Sequence, residues 1–427
     1  MEKFFEFDNG LQLFYIHNKI NNATGINISF SCGSRCDKNI AGLSHFVEHM
    51  FFTGTKDENK EQISQKYFDF IRVNAYTNTR EICFTGEILT TELKDYLSLV
   101  KTMILSSTFS PKAVEEEKKV VIQEIVRDND KYDEKSARVF SALLYGEKYY
   151  EDGVLGNISS VEKITSKDVK NYVKTYFVAN NCKVYISSPL SFSKIKSLVK
   201  NNFAIFLKEN KSLNVLPYFS STIQHGSKLQ SIKENIDKNF LRLAFKLDWG
   251  YDANLKKLAT LSLLSNIMDD MTDGAINDLR LKNGLVYSAS TYIVHNEHDS
   301  VLVFKTDLSS ENIKKCIDVF SEYLKKLKTN KISSEQLKKY KRIDKYYHET
   351  EIETLADRMQ YLKNIAKSGK YIDEKMYYKE AVKITKEDVN SLIDELFDSN
   401  EFICSIYGNA KKSDIYSLEQ INKKLFI

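Results

Sequence analysis

The sequence predicts an α+β protein built from two similar domains. Short segments in which polar and apolar residues alternate, such as residues 25–30, are typical of strands. Longer segments with apolar residues three or four positions apart, such as residues 111–128, are typical of helices. A chain of 427 residues also exceeds the size of one ordinary hydrophobic core. The polar stretch at residues 208–228 indicates a linker, so we expect domains at residues 1–207 and 229–427.

The elements of the first domain follow one another closely along the chain. Residues 4–17 predict two strands around Asn9-Gly10, which is the strongest short signal for a hairpin. The elements predicted after the hairpin are a strand at 25–30, a helix at 41–54, a polar helix at 60–70, a strand-like segment from 74 to 89, a helix at 91–107 and a helix at 111–128. Either Asp37 or Asn39 could cap the helix at 41–54. This order of elements is that of a mixed α+β domain.

An internal repeat predicts that the domain is duplicated. Residues 161–169 resemble residues 381–389, and Ile164 and Ile384 within them are 220 positions apart. Residues 26–50 likewise resemble a segment that ends at Met268, 218 positions after Met50. Two matches at nearly one offset indicate a repeat of one domain. In the second copy, the positions that correspond to His45, Glu48 and His49 hold Leu263, Asn266 and Ile267.

The composition restricts the class of protein. Hydrophobic residues make up 42% and charged residues 28%, as in soluble globular proteins. A net charge of +4 from 62 basic and 58 acidic residues is weak support for a polyanion partner. No run of 18 apolar residues occurs, so no segment is expected to span a membrane. Without a secretory signal or a CxxC pattern among the six cysteines, we expect free thiols and a cytoplasmic location, or an organelle matrix if a presequence was removed.

The helix predicted at residues 41–54 carries two histidines on one side. Its apolar residues recur at helical spacing on the other side, and they are Leu43, Phe46, Val47, Met50 and Phe51. His45, Glu48 and His49 project together, within about 100° of arc. Two imidazoles and a carboxylate on one helix face are the geometry of a metal site, with a further ligand needed from elsewhere. The alternative is an ordinary pair of hydrogen-bonded helix histidines.

Residues 42–55, which read GLSHFVEHMFFTGT, resemble the zinc-site motif of the pitrilysin/insulinase family of zinc peptidases. The order His-x-x-Glu-His inverts the thermolysin-type order and is the inverzincin pattern. The resemblance points particularly to the short-chain, mitochondrial-processing-peptidase-like branch, and it covers nearly the whole chain. It implies two homologous α+β domains, each an antiparallel β-sheet with helices packed on it, that form half of a clam-shell chamber.

The resemblance also implies the members of the metal site. One Zn²⁺ per chain would be held by His45, His49 and Glu124, which follows His49 by 75 positions. Glu117 comes seven positions before Glu124 and would support the site from outside the ligand shell. Glu48 would be the general base that accepts a proton from the zinc-bound water.

Two further groups of residues match the substrate-binding parts of the family. Asn74, Ala75 and Tyr76 match its substrate strand, whose edge takes up an extended peptide, although the glycine pair that precedes this strand in the family is absent here. Arg280 and Tyr287, in LRLKNGLVYSAS, match a pair that holds substrate and the developing oxyanion. In short-chain relatives this pair reaches the zinc of a second chain, which implies a homodimer, or a heterodimer with a related subunit.

Taken together, these residues predict a zinc metalloendopeptidase that cleaves short or unfolded peptides, or leader and presequence segments. The alternative is a non-catalytic scaffold or partner subunit that binds extended peptides without cutting them. Relatives of that kind have lost zinc ligands, whereas this chain has all three and the base, so we favour the enzyme. Nucleic-acid binding rests only on the weak charge balance, and we expect neither a nucleic-acid partner nor a membrane partner.

Overall fold

The computed structural model describes residues 2–19, 22–146, 152–213, 222–350, 354–367 and 374–426. Contacts within the chain define two units. The first unit consists of Met1–Lys131, Asp152–Tyr218 and Ile352–Tyr371, and the second unit consists of Tyr132–Glu151, Phe219–Glu351 and Ile372–Ile427. In the described part of the chain, no helix is both long enough and apolar enough to cross a membrane.

The first unit contains a six-stranded sheet in the order β1-β2-β6-β3-β5-β4. Its strands are β1 Glu2–Glu6, β2 Gln12–His17, β3 Ala23–Phe30, β4 Arg72–Thr77, β5 Ile82–Leu89 and β6 Cys182–Ser188. β2 pairs with β6 in parallel, and the other neighbouring strands are antiparallel. β4 lies at the edge of this sheet, where one row of its backbone N–H and C=O groups faces away from β5.

The strand-like segment predicted from residue 74 to residue 89 is two strands joined by a turn. Oδ1 of Asn78 accepts hydrogen bonds from the backbone N–H groups of Arg80 at 2.7 Å and Glu81 at 2.9 Å. An asparagine side chain that bonds to the backbone two residues on reverses the chain locally. The hairpin predicted around Asn9-Gly10 is confirmed, and Gly10 adopts the left-handed φ of 84° that the turn requires.

Helices pack on the sheets of both units. In chain order they are α1 Leu43–Met50, α2 Lys60–Phe68, α3 Leu93–Ser106, α4 Pro111–Asp128, α5 Tyr132–Tyr145, α6 Ile158–Val161, α7 Ser166–Tyr176, α8 Phe192–Val199, α9 Leu255–Met268, α10 Ile313–Asn330, α11 Ser334–Thr350, α12 Leu355–Lys367, α13 Glu374–Ala381, α14 Lys386–Asp398 and α15 Leu418–Phe426. In the first unit, Phe46, Val47 and Met50 of α1 are fully buried in the main hydrophobic core. Burial of this stripe anchors α1 and leaves its polar face directed away from the core.

The second unit contains a five-stranded sheet in the order β7-β11-β8-β10-β9. Its strands are β7 Lys228–Lys233, β8 Asn239–Leu247, β9 Ala289–His295, β10 Ser300–Leu308 and β11 Phe402–Gly408. β7 pairs with β11 in parallel, and the remaining pairs are antiparallel. This is the order of the first sheet without β1, so the predicted α+β class and the duplication are confirmed, with one parallel pair added to each antiparallel sheet.

The two units are not continuous segments of the chain. α5 belongs to the second unit, where it packs on β8 and β11, and α12 belongs to the first unit, where it packs across β2, β3 and β6. The predicted boundaries of the homologous halves, residues 1–207 and 229–427, stay a prediction. Within the predicted linker at 208–228, residues 214–221 lie outside the described residues. All six cysteines are buried and unpaired, as the sequence predicts.

Candidate metal centre

The start of α1 is held by one buried carboxylate. Asp37 accepts hydrogen bonds from the backbone N–H groups of Gly42 and Ser44, both at 2.8 Å. These N–H groups have no partner within the helix, so the side chain of Asp37 supplies one. Gly42 itself has a φ of 85°, and a Cβ there would lie 2.3 Å from the carbonyl oxygen of Leu155. The backbone conformation before α1 is therefore restricted, and this restriction fixes where the helix and its histidines begin.

His45, His49 and Glu124 meet where α1 packs against α4. Nε2 of His45 lies 3.7 Å from Oε2 of Glu124, and Nε2 of His49 lies 3.4 Å from the same oxygen. All three ligand atoms lie within 4.8 Å of one another, and in the described ranges this is the one such group of His, Cys, Asp or Glu side chains. Ligand bonds of ~2.0–2.2 Å in a tetrahedral zinc site place ligand atoms about 3.3–3.5 Å apart. The two distances to Glu124 are close to this spacing, so the donor atoms of the cluster and their separation from Glu124 suit a zinc ion.

Glu117 lies behind His49 and fixes the orientation of its ring. Oε1 of Glu117 is 2.9 Å from Nδ1 of His49, and Nζ of Lys60 donates to Oε2 of Glu117 at 2.6 Å. A hydrogen bond at Nδ1 leaves Nε2 as the ligand atom, and Nε2 is the nitrogen that faces Glu124. Glu117 and Glu124 share one side of α4 because they are two helical turns apart.

Glu48 is buried beside this cluster and has a partner on β4. Oε2 of Glu48 accepts a hydrogen bond of 2.6 Å from the hydroxyl of Thr77. Burial raises the pKa of Glu48, and the hydrogen bond from Thr77 opposes part of that rise. A carboxylate whose pKa lies above its ordinary value is better suited to exchanging a proton near neutral pH.

Burial and neighbouring charges set the protonation of the three candidate ligands. Burial, and next to it the neighbouring His49, lowers the pKa of His45, which favours the neutral imidazole that a metal ligand needs. Burial also acts to lower the pKa of His49, but its hydrogen bonds to Glu117 and Glu124 outweigh burial and raise it. The hydrogen bond with His49 lowers the pKa of Glu124 despite burial. An ionised carboxylate facing two imidazoles can bind a divalent cation, which would displace the proton that the raised pKa leaves on His49.

The three residues matched to the substrate strand lie on the edge strand β4. Ala75 is buried and Asn74 is exposed, as expected where successive side chains point to opposite faces. The side chain of Thr77 reaches Glu48 on α1, and the preceding Tyr76 reaches α12, where its hydroxyl is bonded by Lys363. Any contact of Tyr76 with a peptide near Glu48 would therefore use its backbone.

Arg280 and Tyr287 lie in the second unit and contact each other there. Arg280 is part of a π-helical turn at Asn277–Lys282, and its guanidinium carbon lies 5.4 Å from the ring centre of Tyr287. The side chain of Tyr287 is 83% exposed. A tyrosine this accessible beside an arginine is available to a ligand, and its role in substrate binding stays a prediction.

Two residues that bond to the site were not predicted as members. Thr77 belongs to the strand motif that marked Asn74 and Ala75, so a local signal for it was present. Lys60 belongs to a polar helix and has no signal of its own, because only the tertiary structure brings its amine to Glu117. Asp37 was one of two predicted caps; Gly42 occupies the N-cap position itself, and Asp37 accepts hydrogen bonds from backbone N–H groups at the start of α1.

Among the described residues, the metal-ligand cluster occurs in the first unit and not in the second. A family model described as Insulinase (Peptidase family M16) matches residues 13–156, and one described as Peptidase M16 inactive domain matches residues 163–343. The chain belongs to peptidase family M16, the insulinase family. The description of the second model agrees with the absence of zinc ligands at Leu263, Asn266 and Ile267.

Relatives and solved structures agree with this assignment over almost the whole chain. A Bacillus subtilis protein named "Uncharacterized zinc protease YmxG" is 27% identical over 405 residues, which cover 93% of this chain and 96% of the relative. The yeast (Saccharomyces cerevisiae) "Mitochondrial-processing peptidase subunit beta" is 22% identical over 395 residues, which cover 88% and 84%. The crystal structure of a protease from Helicobacter pylori superimposes with a TM-score of 0.81 at 18% identity, covering 96% of this chain and 99% of that one. This last likeness shows the fold.

Proposed function

We propose that this protein is a zinc-dependent endopeptidase that cleaves short or unfolded peptides, including leader or presequence segments. The observation that carries the proposal is the meeting of His45, His49 and Glu124 within 4.8 Å, beside Glu48 on the same helix face as the histidines. A catalytic zinc site uses three protein ligands and leaves one position open, and this group supplies three. The names of the relatives support the same reaction class.

Each residue of the group has a role in peptide hydrolysis. Zinc held by His45, His49 and Glu124 would supply the Lewis acid that activates water and polarises the peptide carbonyl. Glu48 accepts the proton of the attacking water as general base and returns it to the leaving amine. Thr77 donates to the carboxylate of Glu48 and so holds it in one orientation.

The substrate side of the proposal rests on the edge position of β4. Extended peptides add to an exposed sheet edge through backbone hydrogen bonds, which tolerate many sequences. Asn74, Ala75 and Tyr76 lie on β4 immediately before Thr77, so a peptide paired with them would pass close to Glu48. A folded protein presents few strands free to pair in this way, so short or unfolded peptides are the expected class. The yeast relative, named as a subunit of a processing peptidase, is consistent with leader segments.

Replacing Glu48 by glutamine tests the proposal directly. Glutamine keeps the size of the side chain and can still accept a hydrogen bond from Thr77, but it cannot take up a proton. We expect Glu48→Gln to retain one zinc per chain and to lose activity by about 10²–10⁴-fold. Zinc would be measured by elemental analysis, and cleavage would be measured by mass spectrometry of a peptide library.

The exposed Glu116 on α4 provides the matched control, because Glu116→Gln makes the same chemical change outside the cluster. This control should keep both zinc and activity. Full activity in zinc-loaded Glu48→Gln would contradict the role of Glu48. A wild-type chain that binds zinc and extended peptides but cuts none of them would instead identify a peptide-binding scaffold.

A further inference from the structure

A buried lysine of α12 lies under the sheet of the first unit. Lys363 is only 8% exposed. It shares the buried face of α12 with the apolar residues Met359 and Leu362, which pack on the sheet. A buried ammonium group is costly unless it is paired and hydrogen-bonded. A lysine at this position is therefore expected to have a buried carboxylate and further hydrogen-bond acceptors as partners.

Lys363 is paired with one end of the turn between β4 and β5. Its Nζ donates to Oε1 of Glu81 at 2.8 Å and also to the hydroxyl of Tyr76. The hydroxyl of Tyr76 donates to the same carboxylate oxygen at 2.9 Å, and Ser29 donates to the other oxygen of Glu81. Sγ of Cys83 lies 3.6 Å from Nζ. The lysine, the carboxylate and the phenol thus form one buried network.

The charges of this network stabilise each other. Burial acts to lower the pKa of Lys363, but the neighbouring Cys83 and Glu81 outweigh burial and leave the pKa raised. Burial likewise acts to raise the pKa of Glu81, and Lys363 reverses the direction and leaves it lowered. Both groups are therefore charged at neutral pH. Removal of the lysine alone would leave a buried carboxylate without its cation.

Lys363 bonds to Tyr76 and Glu81, and these two residues lie on either side of Thr77, which donates to Glu48. Tyr76 precedes Thr77 in β4, and Glu81 ends the turn that follows Thr77. Successive side chains of a strand point to opposite faces, so the chain is tied to α12 at Tyr76 and to α1 at Thr77. A shift of the turn would consequently move the hydroxyl of Thr77 relative to the carboxylate of Glu48.

We propose that Lys363 is a positioning residue, which holds the β4–β5 turn so that Thr77 orients Glu48 beside the edge that takes up the peptide. The inference rests on the proposed peptidase function for its effect on turnover. It assigns to the second half of the sequence a part in arranging the site of the first unit, since Lys363 comes 315 positions after Glu48. Loss of a lysine that served only the stability of the fold would speed amide exchange across the whole first unit, whereas loss of a positioning lysine speeds it most in the turn.

Three variants on one helix test the inference. Lys363→Met removes the charge and keeps an unbranched chain, Lys363→Arg keeps the charge, and Gln360→Met makes a similar change at an exposed position of α12. The rate of amide hydrogen exchange over residues 74–82 measures how firmly the turn is held, and this measurement does not depend on catalysis. We expect Lys363→Met to speed this exchange by about 10-fold or more, with Lys363→Arg near wild type and Gln360→Met unchanged.

Turnover provides the second readout. We expect Lys363→Met to keep its zinc and to lose about 10-fold or more in kcat, because small misplacements of reacting groups are costly. If Lys363 acts through Thr77, the two losses are not additive, and Lys363→Met adds little to the loss already caused by Thr77→Val. If Lys363→Met lowered kcat by the same factor in the wild type and in Thr77→Val, the inference would be overturned.

The outcomes for the inference and for the proposed function are separable. Unchanged exchange over residues 74–82 in Lys363→Met would overturn the inference whatever the activity. A zinc-loaded wild type that cuts no peptide would overturn the proposed function, while hydrogen exchange would still decide whether Lys363 holds the turn. Should Lys363→Met fail to fold, the pair Glu81→Gln with Lys363→Met removes both buried charges, and the same exchange measurement applies to it.

Discussion

At the scale of single residues, Glu117 shows how an acid outside the ligand shell serves the site. Its two oxygens are used by different partners, Nδ1 of His49 at 2.9 Å and Nζ of Lys60 at 2.6 Å. The hydrogen bonds and charges of these two partners lower the pKa of Glu117 against the effect of burial. Glu117 is therefore ionised, and an ionised acceptor makes the imidazole of His49 a stronger donor to a metal.

Glu117→Gln should weaken zinc binding without removing a ligand. The amide can still bond to Nδ1 of His49, but it carries no charge, so we expect the zinc affinity to fall by about 10–100-fold. Competition with a chelating dye measures this affinity. The neighbouring Glu116→Gln serves as control because Glu116 is exposed, and equal affinities of the two variants would contradict the role of Glu117.

At the scale of elements, α1 is a short helix whose geometry depends on its first turn. Its eight residues, Leu43–Met50, include both histidines and Glu48. Asp37 accepts hydrogen bonds from the N–H groups of its N-cap residue Gly42 and of Ser44 in its first turn. Burial raises the pKa of Asp37 to about 7, and its hydrogen bonds with Ser44 and Gly42 only partly oppose this rise. The cap is thus coupled to pH.

The stability of the wild type relative to Asp37→Asn should depend on pH with a defined sign. The pKa of Asp37 in the folded state lies above the ordinary value of about 3.9. Folding therefore favours the protonated acid, and this contribution is complete below about pH 4 and is lost as the pH rises through about 7. Between about pH 5 and pH 6.5, we expect the difference in unfolding free energy to fall by roughly 1 kcal/mol per pH unit.

Urea denaturation of both proteins, followed by the fluorescence or circular dichroism of the chain across this pH range, measures the difference. Asparagine does not titrate, so the variant supplies the pH-independent reference at this position. A difference that stays constant across this range would contradict the prediction, because it would mean that folding does not raise the pKa of Asp37 above its ordinary value.

At the scale of the whole molecule, the duplication has left unlike residues in the two units. The first unit carries His45, His49 and Glu124, and the second unit carries the exposed pair of Arg280 and Tyr287. Every copy of the chain thus contains both groups. The resemblance implies that the pair of one chain completes the site of another, and each active site would then need one group from each of two chains.

Mixing two inactive variants tests this arrangement. Glu48→Gln lacks the base and Arg280→Ala lacks the arginine, so neither should be active alone. In a mixed dimer, the site with Glu48 from one chain and Arg280 from the other is intact. Random pairing should recover roughly a quarter of the wild-type activity, because half of the dimers are mixed and each has one good site. No recovery, with mixed dimers shown to form by native mass spectrometry, would contradict completion by a second chain.

Local sequence patterns were sufficient for much of the site. Helical spacing alone places His45, Glu48 and His49 on one face of α1, and Glu117 and Glu124 two turns apart on α4. The repeat predicted two similar α+β units, since each copy keeps its own pattern of strands and helices. These features depend on residues a few positions apart, and local periodicity records such relationships directly.

The tertiary structure decided which of these faces meet. It brings α4 to α1, so that Glu124 comes within 3.4 Å of His49, a pairing that the sequence suggested only through resemblance. It also brings α12 to the first unit and places Lys363 beside Glu81, 282 positions earlier in the chain. No local pattern records such contacts, because they arise from the packing of distant apolar faces rather than from the spacing of neighbouring residues. The sequence by itself therefore determined which reactive side chains share a face of each helix. Only the packing of the helices decided which of those side chains contact one another.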